Sequence, residues 1–182
     1  MVSWWSFSCW NSRKPIQLEL EDGLTASDKL VPESCAFCNV SKEKGFNVVW
    51  EDDSFVAFED IRPASMYHLQ IVPREHIDSV KALGKTDVEL VKRMADIAHH
   101  ILDERNVPMN RRKIGFHIPP YYSVAHLHMH VQGLPYVSIT KVLKYPVVGG
   151  FGKYQKGFSW FAEAGQTMRI LERGGAVKIS PS

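Results

Sequence analysis

The sequence predicts an α+β protein: about five short strands, one long amphipathic helix and a shorter helix near the C-terminus. Three observations carry that expectation. Short runs rich in β-branched and aromatic residues recur between clusters of Gly, Pro and Asp, as in Phe46 to Trp50 and Ser54 to Phe58. A stretch opened by Thr86-Asp87-Val88-Glu89 carries apolar residues at helical spacing. Finally, His126-Leu127-His128-Met129-His130 alternates polar and apolar residues, so a strand there sets three imidazoles on one face at roughly 7 Å steps, with Leu127 and Met129 behind them.

The 182 residues are 45% hydrophobic and 23% charged, the composition of one globular domain of about 100–150 residues plus tails. A formal charge of +2 is too weak to argue for nucleic acid or an anionic membrane, so any anionic ligand must be held locally. Of three cysteines, Cys35 and Cys38 form a C-x-x-C pair and Cys9 stands alone, which is not a secreted disulfide framework and favours a reducing compartment. The N-terminal aromatics Trp4, Trp5, Phe7 and Trp10 follow no basic residue and are interrupted by Ser, Cys and Asn, so neither a signal peptide nor a membrane span fits. The expected location is the cytoplasm, the nucleus or both.

Residues 1–33 keep neither period 2 nor period 3.6 and read as a disordered extension whose aromatics are free to dock elsewhere. Cys35-Ala36-Phe37-Cys38 follows. Two close thiols can be redox-active, ligate a metal or fill a core. The next two strands meet at Glu51-Asp52-Asp53, a hairpin signal. Asp60 then either caps a turn or accepts two hydroxyl hydrogen bonds while Ile61 covers a base. Tyr67 to Val72 is a third strand, stopped by Pro73, and its His68 is a core residue or a fourth imidazole. His76 follows that strand. The helix runs from the Thr86 cap through Leu90, Met94, Ile97 and Leu102 and ends near Asn106 and Pro108. Lys113 to Ile118 is a fourth strand. Pro119-Pro120 then forces a loop that delivers Ser123 to the fifth strand, Ala125 to Gln132. Beyond Gly133, frequent Gly and Pro leave two elements, Ser138 to Lys144 and a helix over about Gly157 to Leu171. Three imidazoles on one strand face allow either a metal site or a nucleophile with helpers.

Taken together, Phe58-Glu59-Asp60-Ile61-Arg62-Pro63, His68-Leu69-Gln70-Ile71-Val72-Pro73, Arg74-Glu75-His76, Ser123 and the triad resemble, in order and approximate spacing, the histidine triad (HIT) superfamily of nucleotide hydrolases and transferases. Gly115-Phe116-His117-Ile118-Pro119-Pro120 before Ser123 resembles the Hint branch, type 3, with some likeness to aprataxin. The resemblance implies a HIT-like fold, an antiparallel sheet packed with the long helix and the shorter C-terminal helix. The HIT domain would span 34–135, with a C-terminal extension over 136–182 packed on it and frayed at its end. It also implies the roles. His128 attacks the α-phosphate of a purine nucleoside phosphoramidate, giving a nucleotidyl-histidine that water cleaves to AMP, with the amine released. His126 and His68 orient the nucleophile, His130 contacts phosphoryl oxygens, and Ser123 bonds the phosphate or the leaving nitrogen. Asp60 binds ribose hydroxyls, Phe37 and Ile61 wall the purine, and His117 is an additional candidate phosphate donor. Zinc-bearing relatives imply a structural site at Cys35, Cys38, His76 and His126.

The resemblance further implies a homodimer, and the apolar helix face from Leu90 to Leu102 fits either a subunit contact or a core. Two other functions compete. One is aprataxin-like removal of AMP from adenylated nucleic acid or other adenylates, disfavoured by the lack of a dense basic stripe and of a Cys/His finger after residue 130. The other is a nucleotide-binding module for protein interaction, disfavoured because every nucleophile and donor residue is present.

Overall fold

The computed structural model describes residues 35–182; the expected disordered extension lies outside them. Six strands form one antiparallel sheet: β1 Val48–Glu51, β2 Phe55–Glu59, β3 Ser65–Pro73, β4 Arg112–His117, β5 Met129–Tyr136 and β6 Phe161–Glu163, in the order β1-β2-β3-β5-β4-β6. Among the described residues two helices of more than one turn pack with it, α1 Val88–Glu104 and α2 Ala164–Glu172, and a single turn spans Ile139–Val142. The expected α+β architecture is therefore present, with one strand more than anticipated.

The β1–β2 hairpin closes on Asp52, whose Oδ1 accepts the backbone N–H groups of Ser54 and Phe55 at 2.8 and 2.7 Å. Long β3 pairs with β2 on one side and β5 on the other, bringing Gln70 opposite His130 and His68 opposite Gln132. Its alternate residues Leu69 and Ile71 face α1 and join the main core with Met94, Leu102, Phe116, Leu127, Met129 and Val131. The other face is left for Phe37, Phe58, Val72 and the histidines.

Several boundaries differ from the sequence reading. Helix α1 begins at Val88 and not after Thr86, because Lys85–Asp87 forms a 3₁₀ turn in which Asp87 Oδ2 accepts the Gly84 N–H at 2.7 Å. Its far end is as expected: Asn106 takes φ 54° and Val107 N–H returns to Leu102 O at 2.9 Å. Strand β5 begins at Met129, four residues later than expected, since Leu127 N–H is drawn out to Ile77 O at 2.6 Å beyond the last β3 pair, Ile71 with Met129. It continues through Pro135, which a register shift in β3 between Ser65 and Tyr67 accommodates.

The helix expected from Gly157 starts only at Ala164, because Phe161–Glu163 is diverted to pair with Gly115–His117 at the β4 edge. Gly115 permits this approach; a Cβ there would sit 2.2 Å from Ala162 O. The end expected to fray is hydrogen-bonded, with Gln155 and Lys156 N–H groups donating to Ser182 O at 2.7 and 2.9 Å.

Candidate active site

Although residues 126–128 precede β5, their side chains still alternate. Leu127, Met129 and Val131 enter the core, and His126, His128 and His130 occupy the opposite face, all buried. Backbone groups decide which ring nitrogen of His126 and of His128 carries the proton. A carbonyl only accepts, so His128 Nδ1–H donates to His126 O at 2.7 Å and His126 Nε2–H donates to Pro73 O at 2.9 Å. Burial lowers the pKa of His128, so the ring is neutral and its Nε2 is unprotonated. That nitrogen belongs to a residue lining the cleft described below, which is the requirement for an imidazole nucleophile.

His126 turns its Nδ1 the other way, toward the thiols: 3.5 Å from Cys35 Sγ and 3.5 Å from Cys38 Sγ. His76 Nδ1 lies 3.2 Å from Cys38 Sγ, while its Nε2 meets Asp78 Oδ1 at 3.2 Å. All four donor atoms fall within 4.8 Å of one another. Around tetrahedral zinc, with bonds of about 2.3 Å to sulfur and 2.0–2.1 Å to nitrogen, neighbouring S and N donors stand about 3.5 Å apart. The four residues fit such an ion. Both imidazoles also have their far nitrogen occupied by an oxygen, the outer arrangement that metal-ligating histidines use. Without a cation Cys38 resists ionisation: burial, then the Cys35 sulfur, push its thiol up to about 11.

Asp60, His68 and His130 form a second cluster of donors. Here protonation opposes a metal. Ala64 N–H donates to His68 Nδ1 at 3.1 Å, and burial, opposed by the charge of Asp60, lowers the His68 pKa to about 4. His68 is therefore neutral with its proton on Nε2, the nitrogen that would have to ligate. It contacts His130 Nδ1 at 2.9 Å, and His130 Nε2 contacts His117 Nδ1 at 3.0 Å.

A cleft of about 750 Å³ opens over these rings. Its lining is drawn from Phe37, Asp60, Ile61 and Gln70, from Tyr121 and Ser123 in the loop before the triad, from Lys144, Tyr145 and Trp160, and from His117, His128 and His130. Asp60 is held by Arg62 N–H on Oδ1 at 2.7 Å and by Gln70 Nε2 on Oδ2 at 2.6 Å. Ile61 is 94% exposed, an apolar wall with nothing of the described residues covering it. Phe37 is buried, its ring edge-on to His128 at 5.5 Å between centroids, so it backs the His128 ring more than it faces an open pocket. Ser123 is exposed in the loop before the triad. His117 lines the cleft, but both its nitrogens are engaged, Nε2–H donating to Lys144 O at 2.8 Å, which removes the free N–H expected of a phosphate donor.

Sequence reasoning passed over Gln70, although its place on the His68 face of β3 was visible. Its amide nitrogen is spent on Asp60 and its buried Oε1 has no partner among the described residues. It also passed over Lys144 and Tyr145, which no motif marks and which are brought here by β4, Tyr145 O accepting from Lys113 Nζ and Lys144 O from His117 Nε2.

Alternating imidazoles leading into an antiparallel sheet, the middle one neutral with a bare nitrogen, define a histidine triad type of site. Residues 34–144 match the protein family described as "Scavenger mRNA decapping enzyme C-term binding". The chain is 32% identical to the zebrafish (Danio rerio) "Adenosine 5'-monophosphoramidase HINT3" over 81% of its own length and 88% of that protein. With the Arabidopsis thaliana "Bifunctional adenosine 5'-phosphosulfate phosphorylase/adenylylsulfatase HINT4" it shares 35% identity over 68% and 86% of the two chains. With zebrafish aprataxin it shares 29% over 72% of this chain and 38% of that one. Among solved structures, a "HIT family hydrolase" from Legionella pneumophila superposes with a TM-score of 0.53 at 26% identity, covering 59% of this chain and 98% of that one. The chain belongs to the histidine triad family, in its Hint branch.

Proposed function

We propose that this protein hydrolyses the P–N bond of purine nucleoside 5'-monophosphoramidates, adenosine foremost, to AMP and an amine. The observation that carries this is His128: a buried, neutral imidazole whose Nδ1–H is fixed on its own chain and whose Nε2 is free to attack. In the first step Nε2 bonds to phosphorus as the P–N bond breaks, and the amine leaves with a proton. In the second, water attacks phosphorus, AMP departs and His128 is restored. His126 supplies the carbonyl that fixes the nucleophile's tautomer, and His68 contributes through His130. Among the residues lining the cleft, Asp60 and Ile61 suit a ribose and a base, and Ser123 suits the phosphate or leaving nitrogen. The names of the two Hint relatives support an adenylate substrate with a variable leaving group.

His128→Ala is expected to lower turnover of an adenosine phosphoramidate by roughly a thousandfold or more. Mass spectrometry of wild type mixed rapidly with substrate should find AMP on His128. Retention of activity within a few-fold in His128→Ala overturns the assignment. Against the aprataxin-like alternative, rates on this substrate and on 5'-adenylated DNA are to be compared; a large preference for DNA reverses the choice. Among the described residues no helix is long and apolar enough to cross a membrane, and a cytoplasmic or nuclear location is part of the same proposal.

Zinc at Cys35, Cys38, His76 and His126 belongs to this reading. With all four positions filled by protein it would be structural, tying the Cys segment to the triad and holding the His126 ring. Elemental analysis is expected to give about one zinc per chain. The paired variant Cys35→Ser/Cys38→Ser should bind none; equal zinc in both proteins places the metal elsewhere.

A further inference from the structure

We propose that His117 is a positioning residue of the reaction, the end of a one-directional imidazole relay that stores a proton on His130 Nε2; this rests on the hydrolase reading above.

The relay runs Ala64 N–H to His68, His68 to His130, His130 to His117, and His117 to Lys144 O, with successive separations of 3.1, 2.9, 3.0 and 2.8 Å. Its direction is determined twice. From one end, the Ala64 amide can only donate, so a neutral His68 carries its proton on Nε2 and gives it to His130 Nδ1. His130 must then carry its own on Nε2. From the other end, the Lys144 carbonyl can only accept, so a neutral His117 carries its proton on Nε2 and offers Nδ1 as a lone pair to His130. The two derivations meet at the same bond with the same polarity.

The rings are held as the bonds require. His68 and His130 stack at 29° with centroids 5.2 Å apart, and His117 stands nearly perpendicular to His130 at 4.7 Å. Tyr145 and Phe161 press on His117 at 4.9 and 5.3 Å, so the segment after β5 builds its socket. An extra proton anywhere in the relay would set N–H against N–H, and burial disfavours the charge in each ring.

His130 therefore has one tautomer, with its mobile proton one ring away from the nucleophile, the His128 and His130 centroids being 5.1 Å apart. In the resting protein that N–H donates to His117 Nδ1, a neutral acceptor. A phosphoryl oxygen gathering negative charge during attack is the stronger acceptor and draws it away. His117 thus keeps a donor ready without competing against the transition state, and the residue acts through His130 without touching substrate.

The test is made on the full chain, with nitrogen-15 long-range NMR of the histidine rings alongside kinetics. In wild type, His130 is expected as Nε2–H alone; a mixture, or Nδ1–H, overturns the proposal whether or not any phosphoramidate is cleaved. His117→Phe keeps ring bulk and removes both nitrogens. It is expected to lower kcat about 10–100-fold with KM within about threefold, and to release His130 into a tautomer mixture. His117→Gln can accept from His130 through Oε1 and donate to Lys144 through Nε2, and should recover most of the loss and the single tautomer. Unchanged kcat in His117→Phe, or equal losses in both variants with the His130 tautomer intact, shows His117 to be packing only. If the wild type leaves every phosphoramidate intact while His130 is pure Nε2–H, the substrate reading fails and the relay stands.

Discussion

Along three consecutive alternate residues, the proton sits on Nε2, Nδ1 and Nε2 of His126, His128 and His130, each set by a different neighbour. The spacing of the triad was legible because period 2 needs only local sequence. The tautomers were not, since Pro73, Ala64 and Lys144 lie far from the triad in the chain and supply backbone atoms that carry no sequence signature. Neutral burial has a measurable cost at low pH. The folded pKa of His68, about 4, lies below the ordinary 6.5, so between those values the unfolded chain binds a proton that the folded chain refuses. Stability is complete above pH 6.5 and is lost as pH falls toward 4. Burial of His117, His128 and His130 adds in the same direction. Thermal melts across this range are expected to show a falling Tm, with a shallower fall in His68→Phe; parallel slopes would refute the assignment.

Among the elements, α1 was the most legible, because its apolar residues recur at the helical period and Asn106 supplies the left-handed stop. Only its first turn shifted, where Asp87 closes a 3₁₀ turn onto Gly84 and the cap assigned to Thr86 and Glu89 does not form. The helix face expected to serve either a core or a subunit contact is spent on the core: Val91, Met94, Ala98 and Leu102 are fully buried against the sheet. Leu102→Ala should therefore cost about 2–5 kcal/mol in urea denaturation of the isolated chain, with the slope unchanged. A loss below 1 kcal/mol would mean the site relaxes freely. Strand β6 was illegible for the opposite reason. Three residues are too few for periodicity, and its partner edge is opened by the missing side chain at Gly115.

At the scale of the molecule, the cleft is assembled from two parts of the chain. Cys35 to His130 supply the triad, Asp60 and Ile61, and that stretch was readable as a series of motifs. Residues after β5 supply Lys144, Tyr145 and Trp160 and anchor the relay. Their contribution depends on Gly115, where a Cβ would meet Ala162 O at 2.2 Å and Glu163 Cα at 2.9 Å. Gly115→Val is expected to lift β6 from β4, lower stability by about 1–3 kcal/mol, and reduce phosphoramidate turnover along with it. Unchanged stability and activity would show that β6 is not needed to hold the far wall. Because one cleft is lined from both sides of β5, the two stretches are not free to vary independently: a change after β5 that moves Lys144 O is felt at His130 through His117, so the tail and the triad must drift as one piece.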